Sequence, residues 1–230
     1  MTIENLKEKI SSVISADGCA AEFYFLIDGN DGIQVKSVDM NDPDHTELGD
    51  IFIQSVSNSM LLNDDLTLVS LSSADDRKNA VYEYDLEDVP DELMSLKTII
   101  ESEEFDQFDH AADDLSNLKG ILVLLGNQDV QMAIYKHQYP ITLIKRDNGF
   151  NLMKPNGQNR FKKLDVDILK INSKFEFIKI DGKYYILDIK TLEKFFGFHE
   201  AIKNVAEKGI ENIENAGLVM DCGVFSSRLE

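Results

Sequence analysis

The sequence predicts an α+β fold: an N-terminal helix and strand region, then an antiparallel β-meander capped by C-terminal helices. Three observations carry this expectation. Apolar residues recur at helical spacing at the start of the chain and again near its end. From residue 121 to 189, short apolar and aromatic runs are broken by Gly, Asn and Asp turns, the pattern of consecutive antiparallel strands. Ionic charge is also divided along the chain. Residues 1–120 hold 28 acids and 7 bases, whereas residues 121–230 hold 14 acids and 16 bases.

The elements follow in order. Ile3, Leu6, Ile10, Val13 and Ile14 share one helical face, with Gly18 as the stop. Residues 21–27 (AEFYFLI) read as a strand, residues 28–32 as a turn and residues 33–38 as the return strand. Asp44 with Glu47 resembles an acidic capping box, followed by a stripe of Leu48, Ile51, Phe52, Val56 and Met60. Residues 66–71 and 80–86 are expected strands. Pro90 opens a short helix carrying Leu93, Leu96, Ile99 and Ile100. Residues 101–117 carry seven acids and no base, and read as a linker or acidic surface loop. A boundary placed there divides the chain into an acidic α+β region, residues 1–117, and a meander with C-terminal helices, residues 118–230. In the second part, residues 121–125 (ILVLL) form a buried strand. Val130, Met132 and Ile134 alternate with Gln131, Ala133 and Tyr135 as its partner. Strands at 141–144, 166–171, 175–180 and 184–189 follow, with turns at Asp147-Asn148-Gly149, Pro155-Asn156-Gly157 and Asp181-Gly182. Leu192, Phe195 and Phe196 mark a short helix, and residues 198–213 a longer one.

Composition narrows the function classes. The chain has 230 residues, 43% of them hydrophobic, so it can bury a substantial core. It contains no apolar run long enough for a membrane span. Its first residues read as an amphipathic helix bearing acids rather than a signal peptide. Cys19 and Cys222 fit no metal or redox spacing and read as reduced cytosolic thiols. Leu229-Glu230 has the look of a cloning scar, so a longer native chain is expected.

The net charge of −19 argues against non-specific DNA binding by the molecule as a whole. Residues 136–174 run against that balance, with nine bases and three acids. Lys145, Arg146, Lys154, Arg160, Lys162 and Lys163 flank the two Gly-containing turns, and turns pointing the same way would set them on one ridge. Six such cations contacting phosphates would give a salt slope of about −5. Phe150 and Phe161 stand among them, either as base-stacking platforms or as core residues.

Other constellations are weaker. Asp181 followed by Asp188-Ile189-Lys190 approximates the acid…Asp-x-Lys pattern of metal-dependent nucleases. The intervening strand, however, would hold the two carboxylates roughly 20 Å apart. Asp42-Pro43-Asp44-His45 reads as capping, and Asp28-Gly29-Asn30-Asp31-Gly32 lacks the ligand pattern of a calcium loop. His45, His110, His137 and His199 are scattered. No phosphate-binding glycine loop and no Gly-x-Ser-x-Gly is present, so no catalytic residue, metal or cofactor is expected.

One stretch carries a family resemblance. Ile180-Asp181-Gly182-Lys183-Tyr184-Tyr185-Ile186-Leu187-Asp188 gives a hairpin. Leu192-Glu193-Lys194-Phe195-Phe196-Gly197-Phe198-His199-Glu200-Ala201-Ile202 gives the helix after it. Together they resemble the defining domain of the KwaB family of the bacterial Kiwa anti-phage defence system, with a clear match over about residues 160–215. The resemblance implies a cytoplasmic, homodimeric, DNA-binding effector that blocks phage replication. It also implies a small membrane-protein partner, KwaA, able to recruit the chain to the inner membrane face, and a family chain length above 230 residues. Two further readings stand beside it. In one, the acidic half captures a basic protein, as an interaction module or DNA mimic. In the other, the chain is a metal-dependent nuclease.

Overall fold

The computed structural model describes residues 2–29, 32–73, 78–102, 104–109, 111–139, 143–144, 152–153, 160–163 and 166–196. The first helix, α1 (Ile3–Ile14), starts where the Thr2 hydroxyl accepts the Asn5 N–H, and it buries Leu6, Ile10 and Val13. Strand β1 (Ala20–Gly29) pairs antiparallel with β2 (Gly32–Ser37). Helix α2 (Asp42–Val56) begins two residues before the expected Asp44. The reason is local. Asn41 is the cap, its side-chain oxygen accepting the Asp44 N–H at 3.1 Å, and Pro43 sits in the first turn, where its missing N–H costs nothing. Phe52 and Val56 are buried as expected, and so is Met60, on the π-helical turn Ser57–Leu61 that follows. Ile51 is instead exposed.

Strand β3 (Thr67–Ser70) runs parallel to β4 (Ala80–Glu83). Pro90 then caps α3 (Asp91–Glu101), which buries Leu93, Leu96 and Ile99. Among the described residues of the acidic stretch 101–117, aromatic side chains hold the chain to the sheet. Phe105 meets Tyr24 at 4.8 Å and Phe108 meets Phe25 at 5.2 Å, while Gln107 bridges to Ser37. The stretch is thus a surface segment fastened to the sheet by its rings and by pairing at Ser37, the end of β2.

Strand β5 (Leu118–Gly126) pairs antiparallel with both β1 and β6 (Gln131–His137). Four two-residue strands follow: β7 (Leu143–Ile144), β8 (Leu152–Met153), β9 (Lys162–Lys163) and β10 (Ile168–Leu169). The chain then returns through β11 (Phe177–Ile180), β12 (Lys183–Ile186) and α4 (Ile189–Phe195). The β11–β12 connection is the expected Asp181-Gly182 turn, with φ of 50° and 75°. Two consecutive positive φ values are what a type I′ hairpin requires, and Gly182 meets that requirement without strain.

Among the described residues one sheet runs β2-β1-β5-β6-β11-β12-β4-β3, antiparallel except for the β4–β3 pair. Strands from after residue 117 sit as one block between two pairs from before it, since β5 lies against β1 and β12 against β4. The expected meander is therefore interrupted. β11 returns to pair directly with β6, while β7 pairs with β10 and β8 with β9 as nested ladders outside the sheet.

Helices cover both faces. Leu6, Ile10 and Phe52 pack with Phe23, Ile134 and Ile178 on one side. Leu93, Leu96 and Leu192 pack with Tyr24, Tyr135 and Phe177 on the other. This explains why β5 reads as a continuous apolar run. It also explains why Ala133 and Tyr135, placed opposite Met132 and Ile134 by strand alternation, are fully buried as well.

Candidate nucleic-acid interface

The segment between β6 and β11, termed the arm, holds two ladders outside the main sheet among its described residues. In one of them, β8–β9, Leu152 faces Lys163 and Met153 faces Lys162. Arg160, Lys162 and Lys163 are all exposed. Consecutive strand residues point to opposite faces, so Lys162 and Lys163 dress both sides of the ladder rather than one ridge. Lys145, Arg146 and Lys154, together with Phe150 and the two Gly-containing turns, lie outside the described residues. Phe161 is 66% exposed and Leu152 57% exposed, so Phe161 is not a core residue. A two-residue ladder separate from the main sheet cannot bury a ring on its own. Cations and an open aromatic ring share this strip, a combination that can hold phosphates and stack on bases.

The root of the arm carries a cluster of buried polar groups that sequence patterning missed. Glu176, immediately before β11, is 1% exposed. Its Oε2 accepts the His137 N–H at 2.6 Å, while its Oε1 has no hydrogen-bond partner among the described residues. Burial raises its pKa to about 7, against the pull of the His137 N–H, Lys136 and Lys174. Lys136 is also buried, and its ammonium donates to Asn172 Oδ1 at 2.9 Å and to the Lys174 carbonyl at 3.1 Å. Burial pushes the Lys136 pKa down. Lys174 reaches Asp188 at 2.8 Å, and Asp188 accepts the Thr191 N–H to start α4. On the other face of the sheet His137 is encased by rings, with Phe195 stacked at 4.1 Å and Tyr139 edge-on at 4.8 Å. Burial first, then the neighbouring lysines, lowers its pKa to about 4, so the ring is neutral at physiological pH. The cluster ties β6, β11 and α4 together where the arm leaves the sheet. One signal for it was available in the sequence: an acid inside the apolar strand FEFIKI at 175–180 and a lysine inside the strand QMAIYKH at 131–137.

The remaining candidates are engaged separately. Asp181, at the hairpin tip, pairs with Lys9 of α1, while Asp188 serves Lys174 and the α4 N-terminus. Asp44 bonds the Asn41 side chain at 2.6 Å, and the His45 ring meets Phe23 edge-on at 5.2 Å. Asp28 pairs with Lys119 at 2.9 Å. Cys19 is a free thiol, half-buried, and its pKa is raised by burial. His110, His199 and Cys222 lie outside the described residues, as does the longer C-terminal helix expected at 198–213. Among the described residues no cluster of three or more His, Cys, Asp or Glu could hold a metal ion, and no helix is long and apolar enough to cross a membrane.

Known proteins place the chain. A family model described as Kiwa protein KwaB-like matches residues 115–229, which includes β5, β6, the arm, the β11–β12 hairpin and α4. The Kiwa protein KwaB of Escherichia coli O55:H7 (strain RM12579 / EPEC) is 27% identical over 223 residues, covering 96% of this chain and 69% of that protein. No solved structure matches. With half of its length under the family model, the chain belongs to the KwaB-like family of Kiwa proteins, and with that to anti-phage defence.

Proposed function

We propose that this chain is a non-enzymatic anti-phage effector that binds double-stranded DNA through the arm between β6 and β11, without strong sequence preference. It acts with the membrane-protein subunit KwaA to block phage replication, and it works as a cytoplasmic homodimer recruited to the inner membrane face. One observation carries the DNA-binding reading: Arg160, Lys162 and Lys163 stand exposed around an exposed Phe161, on a ladder outside the eight-stranded sheet. Phosphates would be held by the cations at the expense of bound counterions, and Phe161 would lie against bases. The acidic half repels the same polyanion, so each subunit binds weakly and two arms on one duplex raise the apparent affinity.

Fluorescence anisotropy with random-sequence duplex DNA at two salt concentrations tests this. Binding that weakens steeply with salt is the expected result. The Lys162→Glu/Lys163→Glu protein is expected to lose it. Salt-independent binding, or binding unchanged by that double reversal, would remove the arm from the interface.

A further inference from the structure

The sheet ends at β2, whose outer edge has no strand neighbour from Gly32 to Lys36 among the described residues. Strand geometry fixes which groups face outward there. Ser37 donates its N–H to the Asp106 carbonyl, and its own carbonyl accepts the Phe108 N–H, both at 2.9 Å. Val38, one residue on, donates the other way, to Phe23 of β1. Outward and inward groups alternate along the strand, so Val35 and Ile33 present N–H and C=O to the open side, as Ser37 does. The acidic segment therefore begins a ninth strand position at Ser37 and leaves it vacant over the rest of β2. Beside that vacancy lies a groove of about 680 Å³, floored by Ile33, Val35 and Phe105 and walled by α3. Asp91, Glu104 and Asp106 stand in its lining, which has no cation among the described residues. Lys36 reaches Asp106 at 3.7 Å, and no described cation pairs with Asp91 or Glu104.

We infer that this groove takes an extended, basic segment of a partner protein, which pairs with β2 as an added strand and sets lysine or arginine side chains against Asp91, Glu104 and Asp106. Backbone pairing supplies the affinity in strand addition, and the flanking pockets supply the selection. Exposed edges are ordinarily protected by charge or cover. Here the cover stops at Ser37, and the charge beside the open part is of one sign. Charge complementarity selects the occupant, since a polyanion or an acidic peptide would meet three carboxylates. The opposite end of the sheet offers less, because β3 spans four residues, and the Ser70 and Ser72 hydroxyls there are bonded to Asp85.

The test uses the full chain and a fluorescein-labelled heptapeptide alternating lysine with valine, with a glutamate–valine heptapeptide as control. The lysine peptide is expected to bind and to slow amide hydrogen exchange at Ile33 and Val35. Val35→Pro removes an outward N–H without touching the β1–β2 ladder, and edge strands tolerate proline in that orientation. It is expected to weaken the peptide up to about tenfold, the loss of one backbone hydrogen bond. Asp91→Lys/Glu104→Lys is expected to weaken it further while leaving the fold intact, both side chains being exposed. Equal binding of the two peptides, or protection appearing at Thr67–Ser70 instead, would overturn the inference. So would protection at β2 in the free protein that rises with protein concentration, because a second copy of the chain would then fill the edge. Exchange in the wild-type protein gives this answer even if Val35→Pro fails to fold.

Discussion

Replacing Glu176 by glutamine removes a titrating group from the root of the arm while keeping its shape and its ability to accept the His137 N–H. Burial lifts the Glu176 pKa from 4.5 to about 7 in the folded chain. The folded state therefore holds the proton more tightly than the unfolded state does. The stability this confers is fully present below pH 4.5 and is lost as pH rises through about 7. Two and a half units correspond to about 3 kcal/mol, an upper figure because local relaxation softens a buried charge. Urea unfolding of both proteins between pH 5 and pH 8 measures the effect. His137 has its pKa lowered to about 4, and its contribution is lost in the opposite direction, as pH falls from about 6.5 through 4. That contribution is common to both proteins and cancels in the difference. Glu176→Gln is expected to gain on the wild type progressively toward pH 8, with unchanged m-values. A difference that stays flat with pH, or a variant less stable throughout, would show that Oε1 is solvated and that Glu176 carries no buried charge.

The other predictions concern packing, capping and the arm. A Cβ on Gly120 would lie 2.7 Å from the Tyr135 ring, so Gly120→Ala is expected to cost about 1–3 kcal/mol in a denaturant melt, since the ring is fixed by its neighbours. Asp188→Ala removes the α4 cap and the Lys174 ion pair, and is expected to cost about 1–2 kcal/mol. If the nuclease reading were correct, the same variant would abolish a Mg²⁺-dependent nicking of supercoiled plasmid; no such Asp188-dependent activity is expected. Lys162→Gln/Lys163→Gln, which removes the two charges without reversing them, is expected to flatten the salt slope of the remaining DNA binding by about 2 units, one per phosphate contact removed. The His137 ring is expected to titrate far below pH 6.5 by proton NMR, and a midpoint near 6.5 would mean that the ring stack with Phe195 is open in solution.

Local structure was largely legible in the sequence. The 3.6-residue spacing of Leu6, Ile10 and Val13 identified the inner face of α1, and Asp181-Gly182 marked a turn whose positive φ values are those observed. Boundaries failed where side chains competed. Asn41, rather than Asp44, took the cap of α2, because its carbonyl oxygen reaches the Asp44 N–H. Ile51 met solvent, although its spacing put it in the stripe. Of the candidate interface, charge located Lys162 and Lys163, but the exposure of Phe161 depended on its ladder standing apart from the sheet, which no local pattern encodes. Glu176 and Lys136 are 40 residues apart in the chain and become neighbours only when β11 closes on β6.

The sequence by itself determined the helices and most strands, the polarised charge, the hairpin turn and the KwaB resemblance. These depend on residues within a few positions of one another, where spacing and backbone preference suffice. The tertiary structure decided the strand order, the covering of both sheet faces, the burial of Glu176 and the open edge of β2. Each follows from pairing between distant segments, and burial is a property of what lies across the sheet rather than of what lies next in the chain.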